Sequence, residues 1–391
     1  MKRIAIIGAS TGQLPLCKKA HEMGLESYCF AWPKDAICKE YVDHFIPISI
    51  FEMDEIVRYC QEINVDGVVS NASETTALVV AYVAEKLGKQ ATSYQAILNI
   101  QNKEFVRQKT NGIEGLGHVR FTVGKLNDII PTFPYPYVLK PLKGASKKGV
   151  NFVSGIKSCI TVPDDLKDGL FMAEEYISGQ EYSIESISFN DRHDIIQITE
   201  KVTTGAPHFV ELEHHQPAHL SPSIEKKIRN IIPPILSSVN FSNGASHIEI
   251  KVNDQGDVYL IEVNPRGGGD YISNDLVSLS TDYDYLKQMI LVALGEYNPV
   301  AVHHVAYAGI YFLSAYTKRL LPYFNIPLAN WMVRRERKTG ELTVSSSNYD
   351  RDGFIIYCSD KKLFCDENYF NFWSNGYIRC IYFSPFSRVR L

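Results

Sequence analysis

The densest chemistry in this chain lies in the run His247-Ile-Glu249-Ile-Lys-Val-Asn-Asp-Gln-Gly256-Asp-Val-Tyr-Leu260-Ile-Glu262-Val-Asn264-Pro-Arg266-Gly-Gly268-Gly269-Asp270. Two alternating stretches flank Asn253-Asp254-Gln255-Gly256, a turn composition, so a β-hairpin is expected. Pairing Val252 with Asp257 sets Glu249 opposite Leu260 and His247 opposite Glu262. Side chains alternate across a strand, so His247, Glu249, Glu262 and Asn264 share one face. Two carboxylates and an amide oxygen side by side are hard ligands suited to Mg²⁺, which completes its octahedron with phosphate oxygens and water. Arg266 adds a planar fork for a phosphate or carboxylate. Such a hairpin can also be a solvated sheet edge with its acids in water. The ending Glu-Val-Asn-Pro-Arg-Gly-Gly-Gly-Asp has no use on such an edge, which favours a metal and anion site.

Several elements must carry this hairpin. Residues 3–9 read as a buried parallel strand. Helix Leu14–Met23, strands Leu25–Ala31 and Phe45–Ile48, helix Glu52–Ile63, strand Gly67–Ser70 and helix Thr75–Leu87, ended by Gly88, follow in turn. That alternation predicts an open parallel α/β sheet over residues 1–95. A helix over Tyr94–Thr110, a loop with Gly112, Gly115 and Gly117, and a strand at Tyr137–Pro141 fall in a second unit, 96–170. Strands dominate from Phe171 to Val263 around one helix at Ile224–Val239, and a closing helix Leu276–Leu294 completes an α+β unit, 171–300. Residues 301–391 read as a β-rich accessory region with strands at Ala306–Leu313, Gly353–Cys358 and Tyr377–Phe383. There Trp331, Tyr349, Phe354, Tyr357, Phe370, Phe372 and Trp373 are expected as core or a packing face. Arg334, Arg335, Arg337 and Lys338 are expected as a solvated turn before Thr339-Gly340.

Upstream of the hairpin, Lys140 in Pro-Tyr-Val-Leu-Lys-Pro is by itself a strand-end surface lysine. Gly144-Ala-Ser146-Lys-Lys-Gly149 offers backbone N–H groups and positive charge to phosphates, without the G-x-x-x-x-G-K-[ST] spacing of a P-loop. Glu181, Ser183 and Glu185 alternate onto one strand face, which suits a solvated edge equally.

Taken in order, these segments resemble the ATP-grasp superfamily, whose pattern is a glutamate on one strand and Glu-x-Asn-x-Arg on the next. The resemblance covers about residues 1–300 and implies an ATP-grasp fold preceded by the α/β domain. It implies that Lys103, in Asn102-Lys-Glu-Phe-Val-Arg107, and Lys140 meet ATP phosphates, and that the loop from Gly144, with Ser146, closes over them. It implies an adenine hinge at Glu174-Glu175-Tyr176-Ile177, with Leu260 also at the nucleotide, and a ribose acceptor at Glu181. Glu249, Glu262 and Asn264 would hold Mg²⁺, two ions or Mn²⁺ in their place, and Arg266 and Lys140 would be catalytic. The implied activity is ATP-dependent carboxylate–amine (or carboxylate–thiol) ligation through an acyl phosphate, releasing ADP and phosphate.

Asn264-Pro-Arg-Gly-Gly-Gly-Asp-Tyr-Ile272 looks most like the bacterial L-amino acid ligases, in which Arg-x-Gly-Gly-Asp follows the metal strand. The third glycine is a departure, and it leaves the acceptor pocket undefined. Chain order in such ligases implies that Glu211 and His214 face the substrate, together with Arg266, Gly268, Gly269 and Asp270. Small-molecule carboxylate and amine partners are implied, and a homodimer is allowed. Two alternatives stay open: a ligase of a nucleotide, sugar-acid or other biosynthetic carboxylate, and a nucleotide-binding regulator without turnover.

Composition narrows the classes further. The 391 residues exceed the roughly 100–200 of one domain. Forty basic against 44 acidic side chains, net -4, leave no excess to drive nucleic-acid binding. Eight cysteines without a C-x-x-C pair suit reduced thiols. Ile4–Ile7 is too short for a signal core, and no stretch approaches the about 18 apolar residues of a membrane span. A cytoplasmic enzyme is therefore expected. Gly8-Ala-Ser-Thr-Gly12 is not G-x-G-x-x-G, and no acid ends the second strand, so NAD is disfavoured. His208, His214, His215 and His219 match no H-E-x-x-H spacing, and a polar loop between strands is the plainer reading.

Overall fold

The computed structural model describes residues 1–144 and 148–363. Ser146, the strand expected at Tyr377–Phe383, and Phe370, Phe372 and Trp373 lie outside the described residues. The N-terminal unit runs β1 (Arg3–Ile7), α1 (Leu14–Glu22), β2 (Glu26–Phe30), β3 (His44–Ile46), α2 (Met53–Glu62), β4 (Gly67–Val69) and α3 (Glu74–Leu87). Its strands are all parallel, in the order β3-β2-β1-β4. β1 is apolar throughout its buried part because both its faces are covered. Ile4 and Ile6 pack in one core cluster with Leu16 and Cys17 of α1, while Ala5 and Ile7 pack in another with Ile56 of α2 and Val83 of α3. Ser73 caps α3 by accepting from the Thr76 N–H, and Gly88, at φ 63°, ends it.

The single helix expected over Tyr94–Thr110 is two, α4 (Tyr94–Ile100) and α5 (Lys103–Thr110). Asn102 between them is extended, and its side chain accepts from the Glu104 and Phe105 N–H groups. An N-cap restarts the helix there, which makes Lys103 the first residue of α5.

The small sheet follows β5 (Leu116–Gly117) and comprises β6 (Phe121–Lys125), β7 (Tyr137–Pro141), β8 (Asn151–Val153) and β9 (Leu170–Glu175), in the order β6-β9-β7-β8. It continues past the boundary expected at residue 170. The large sheet takes β10 (Gln180–Phe189), β11 (Arg192–Thr203), β12 (Glu211–Gln216), β13 (Gly244–Val252) and β14 (Val258–Asn264), with α6 (Pro222–Ser238) between β12 and β13. After α7 (Val277–Ser280) and α8 (Tyr285–Ala293), β15 (Tyr307–Leu313), β16 (Met332–Arg337) and β17 (Gly353–Ser359) join the same sheet, in the order β16-β17-β15-β12-β11-β10-β13-β14-β5. Apolar residues of β13 and β14, such as Ile248, Ile250 and Val258, pack with Ile228, Ile232 and Ile235 of α6.

Three expectations are corrected here. The closing helix over Leu276–Leu294 is interrupted: a π-helical turn at Ile272–Leu276 leads into α7, Thr281 is extended, and Asp284 caps α8 through the Lys287 N–H. Arg334, Arg335 and Arg337 lie on edge strand β16, whose backbone pairs with β17; Arg337 is exposed, Arg334 lies over the Tyr271 and Phe354 rings, and Arg335 donates to the Tyr323 carbonyl. Glu181, Ser183 and Glu185 are no solvated edge, because β10 is hydrogen-bonded on both sides, to β11 and β13. Trp331, Phe354 and Tyr357 are buried as expected, whereas Tyr349 is exposed. No helix among the described residues is long and apolar enough to cross a membrane.

Candidate active site

The β13–β14 hairpin pairs one step away from expectation. Val252 faces Val258 and Ile250 faces Leu260; a bulge then sets Glu249 opposite Glu262 and His247 opposite Asn264. Ile261 is the unmatched residue, and such an insertion bends and twists the strand. The four polar side chains still share a face. Directly opposed residues hold their Cβ atoms roughly 5 Å apart, within reach of one shared cation. Leu260 lies on the other side, buried with Ile250 against α6.

Hard oxygen donors of this kind fit Mg²⁺. The Glu262 Oε2 accepts from Asn264 Nδ2 at 3.5 Å, and Asn264 Oδ1 accepts from Arg266 at 3.4 Å. Burial alone would push Glu249 toward its neutral form, but Lys201 and His247 outweigh it and hold the carboxyl well below its usual range. Glu249 is therefore ionised at neutral pH.

Lys103 projects from the start of α5 to 3.4 Å from Glu262 Oε1 and donates to the Gly144 carbonyl at 2.9 Å. Lys140 is buried, not a surface lysine, and its Nζ is 2.5 Å from Glu174 Oε2. Arg107 takes the other Glu174 oxygen at 2.6 Å. Glu174, expected in the adenine hinge, thus spends its side chain on a buried ion triad. Burial disfavours its ionised form, yet Arg107 and Lys140 outweigh this and bring its pKa down to about 2. Lys140 shifts the other way from a satisfied cation: burial, with Arg107 and Lys103 nearby, outweighs Glu174 and lowers its pKa. One carboxylate shared by two cations satisfies itself better than it satisfies Lys140. Two residues on from Glu174, the Tyr176 ring stacks edge-on to Phe152 at 5.0 Å, and Lys251 lies 4.9 Å above it while donating to the Ile177 carbonyl at 3.2 Å.

The other side of the site is built around Lys201 on β11. Its ammonium, on a residue only 2% exposed, lies 2.8 Å from Glu249, 3.0 Å from Glu211 and 3.4 Å from Glu181. Glu181 therefore faces Lys201. His214 Nε2 lies 3.4 Å from Glu211 and 3.9 Å from Asp270. Burial opposes its charging, but Asp270 and Glu211 raise its pKa. Asn348 donates to Glu211 at 3.0 Å, and Arg351 grips both Asp270 oxygens, at 2.5 and 3.0 Å. The Arg351 guanidinium also sits 3.6 Å over the Phe312 ring. Asp270 and Tyr271 adopt φ 48° and 66°, a conformation rare outside glycine.

A cavity of about 1410 Å³ joins these parts: Glu249, Glu262, Arg266 and Gly269 line it with Glu211 and Asp270, as do Lys148 and Val150. Thr11 of the Gly8–Gly12 turn and Glu74 at the start of α3 close its N-terminal side. Lys201, Asn348, Arg351 and Glu74 were not singled out in the sequence. Lys201 had one usable signal, a strand face on which it alternates with Thr199 and Gln197, opposite an apolar face of Ile196, Ile198 and Val202; Asn348 and Arg351 had none, because only the fold brings a segment so far along the chain to the pocket.

Residues 133–275 match the model of the ATP-grasp domain. Alanine–anticapsin ligase of Bacillus amyloliquefaciens is 26% identical over 294 residues, 64% of this chain and 61% of that protein. The chain thus spans about three fifths of that relative's length. An L-amino acid ligase structure from Bacillus licheniformis superposes with a TM-score of 0.77 at 22% identity, over 96% of both chains. The ADP complex of N5-carboxyaminoimidazole synthetase from Staphylococcus aureus superposes at 0.72 and 18% identity, over 92% of this chain and 94% of that one. The hairpin, Lys140 and strands β7, β8 and β9 of the small sheet lie within the residues that match the ATP-grasp domain, and the chain as a whole shares the fold of these ligase structures.

Proposed function

We propose that the chain is an ATP-dependent ligase that joins a carboxylate to an amine through an acyl phosphate, with an amino acid as the activated acid. The observation that carries this reading is the meeting in one cavity of Glu249 and Glu262, with Asn264 against Glu262, and of Arg266 and the Glu211–Asp270 acids. A carboxylate is a poor electrophile at neutral pH, and phosphorylation gives it a leaving group. Mg²⁺ held by Glu249, Glu262 and Asn264, as two ions or with Mn²⁺ in their place, would supply neutralisation of phosphate charge. Lys140, short of negative charge in the free protein, completes its pairing with a phosphate oxygen. Lys103 presents its ammonium beside it, and Arg266 offers a fork to the transferring phosphoryl group. Lys148 and Val150 wall the cavity, which limits the access of water to an acyl phosphate. Glu211 and Asp270 place negative charge where an α-ammonium group would bind, with His214 behind them. The name of the alanine–anticapsin relative supports an amino-acid substrate.

The test is ADP release with amino acids and other carboxylic acids, singly and with amines, with mass detection of the amide. Release with an amino acid plus an amine, lost in Glu262→Gln without loss of thermal stability, is the expected result. ATP binding without release for any pair would turn the reading to a nucleotide-binding regulator. Release only with a sugar or nucleotide acid would move it to another ligase class.

A further inference from the structure

We infer that Glu185 and His247 form a buried positioning pair that locks the metal-facing strand to the glycine run after Arg266. The inference rests on the proposed ligase reading, since it concerns how Glu249 and Arg266 are set. Glu185 lies inside β10, fully buried. One of its oxygens is 2.5 Å from His247 Nδ1, and the other accepts the Gly268 N–H at 2.9 Å. The second nitrogen of His247 is 3.2 Å from Glu249 Oε1. One unbroken series of contacts therefore runs from the backbone two residues past Arg266, through Glu185 and His247, to the Glu249 carboxylate.

Stability alone does not account for such a pair. Removing a carboxylate from water costs several kcal/mol, and well-packed apolar residues in the same space are often as stable or more so. What the pair supplies is geometry. It also explains the glycine at 268: a Cβ there would meet Glu185 Oε1 at 2.8 Å and His247 Nδ1 at 2.9 Å, whereas one at 269 would meet nothing within 4 Å. The Gly268 peptide is held from its other end as well, where its carbonyl accepts from Ser273 Oγ at 2.6 Å. The two glycines thus have different reasons. Gly268 lets the backbone approach the pair; Gly269 opens onto the cavity.

Groups that orient metal ligands from behind typically change metal affinity or activity by 10–100-fold when removed. The experiment is Mn²⁺ titration by EPR in the presence of ADP, with steady-state kinetics, on Glu185→Gln, Gly268→Ala and Glu262→Gln. The glutamine at 185 keeps the shape but cannot accept from both His247 and Gly268. Expected are Mn²⁺ affinities weakened about tenfold or more and kcat lowered about 100-fold in the first two variants. Their KM for ATP should move less than about threefold, a split that general loosening of the fold would not produce. If Glu262→Gln loses Mn²⁺ while Glu185→Gln and Gly268→Ala bind as the parent does, the positioning role is overturned and the ligase reading stands. If Glu262→Gln also binds Mn²⁺ normally, the metal assignment fails and the inference with it. Should Glu185→Gln not fold, His247→Gln takes its place in the same titration, and parental affinity there overturns the role.

Discussion

Replacing Glu174 by glutamine tests the electrostatics of the buried Arg107–Glu174–Lys140 triad most directly. The carboxylate lies buried between Arg107, at 2.6 Å, and Lys140, at 2.5 Å, so the neutral amide leaves two buried cations without a counter-charge. Removing one partner of a buried pair costs about 3–5 kcal/mol. The pKa gives a second route: a fall from 4.5 to about 2 corresponds to about 3 kcal/mol at about 1.4 kcal/mol per unit. The two routes agree, and the loss is a large share of the about 5–15 kcal/mol that holds a domain folded. A depressed carboxyl stabilises the fold above its unfolded pKa, and that contribution fades as pH falls through the folded value. The gap between parent and Glu174→Gln should therefore be constant above about pH 5.5 and about 1 kcal/mol narrower near pH 3.5. Urea unfolding of both proteins at several pH values reads it. A gap below about 1 kcal/mol at neutral pH, or one that does not narrow in acid, would refute the charged, buried triad.

Lys201→Met leaves Glu181, Glu211 and Glu249, whose oxygens lie within 4.8 Å of one another, without their shared ammonium. A loss of about 3–5 kcal/mol is expected in a thermal melt, and saturating Mg²⁺ should restore part of it by taking the cation's place; no response to Mg²⁺ would count against the cluster. Arg351→Ala frees Asp270 and the left-handed backbone at Asp270 and Tyr271. The KM for the acid substrate should rise about tenfold, as expected for loss of a charge-assisted grip worth about 1.4 kcal/mol or more. The KM for ATP should hold, and equal changes in both would place Arg351 outside the substrate pocket.

Much of this protein can be read from order and period alone. Strands and helices alternating through the first 95 residues specify a parallel sheet, since an apolar strand such as Ile4–Ile7 needs cover on both faces. Alternation sets His247 beside Glu249 and Glu262 beside Asn264, but that the two pairs share a face depends on the pairing: a one-residue shift would separate them, and the bulge at Ile261 brings them back together. Other features depend on contacts that no local pattern encodes. Only pairing on both sides of β10 turns Glu185 from an edge acid into a buried one, and that decides the worth of its charge. The break at Asn102 is a cap competing with a helix, and the cap wins because its side chain satisfies two N–H groups that the helix start leaves open. Lys201, Asn348 and Arg351 come from distant segments, and they meet Glu211 and Asp270 because β11, β12, β15 and β17 lie in one sheet. Sequence by itself determined the chemistry available and the strands that present it. Tertiary structure decided which charges are buried together, because desolvation and pairing depend on neighbours brought in by the fold.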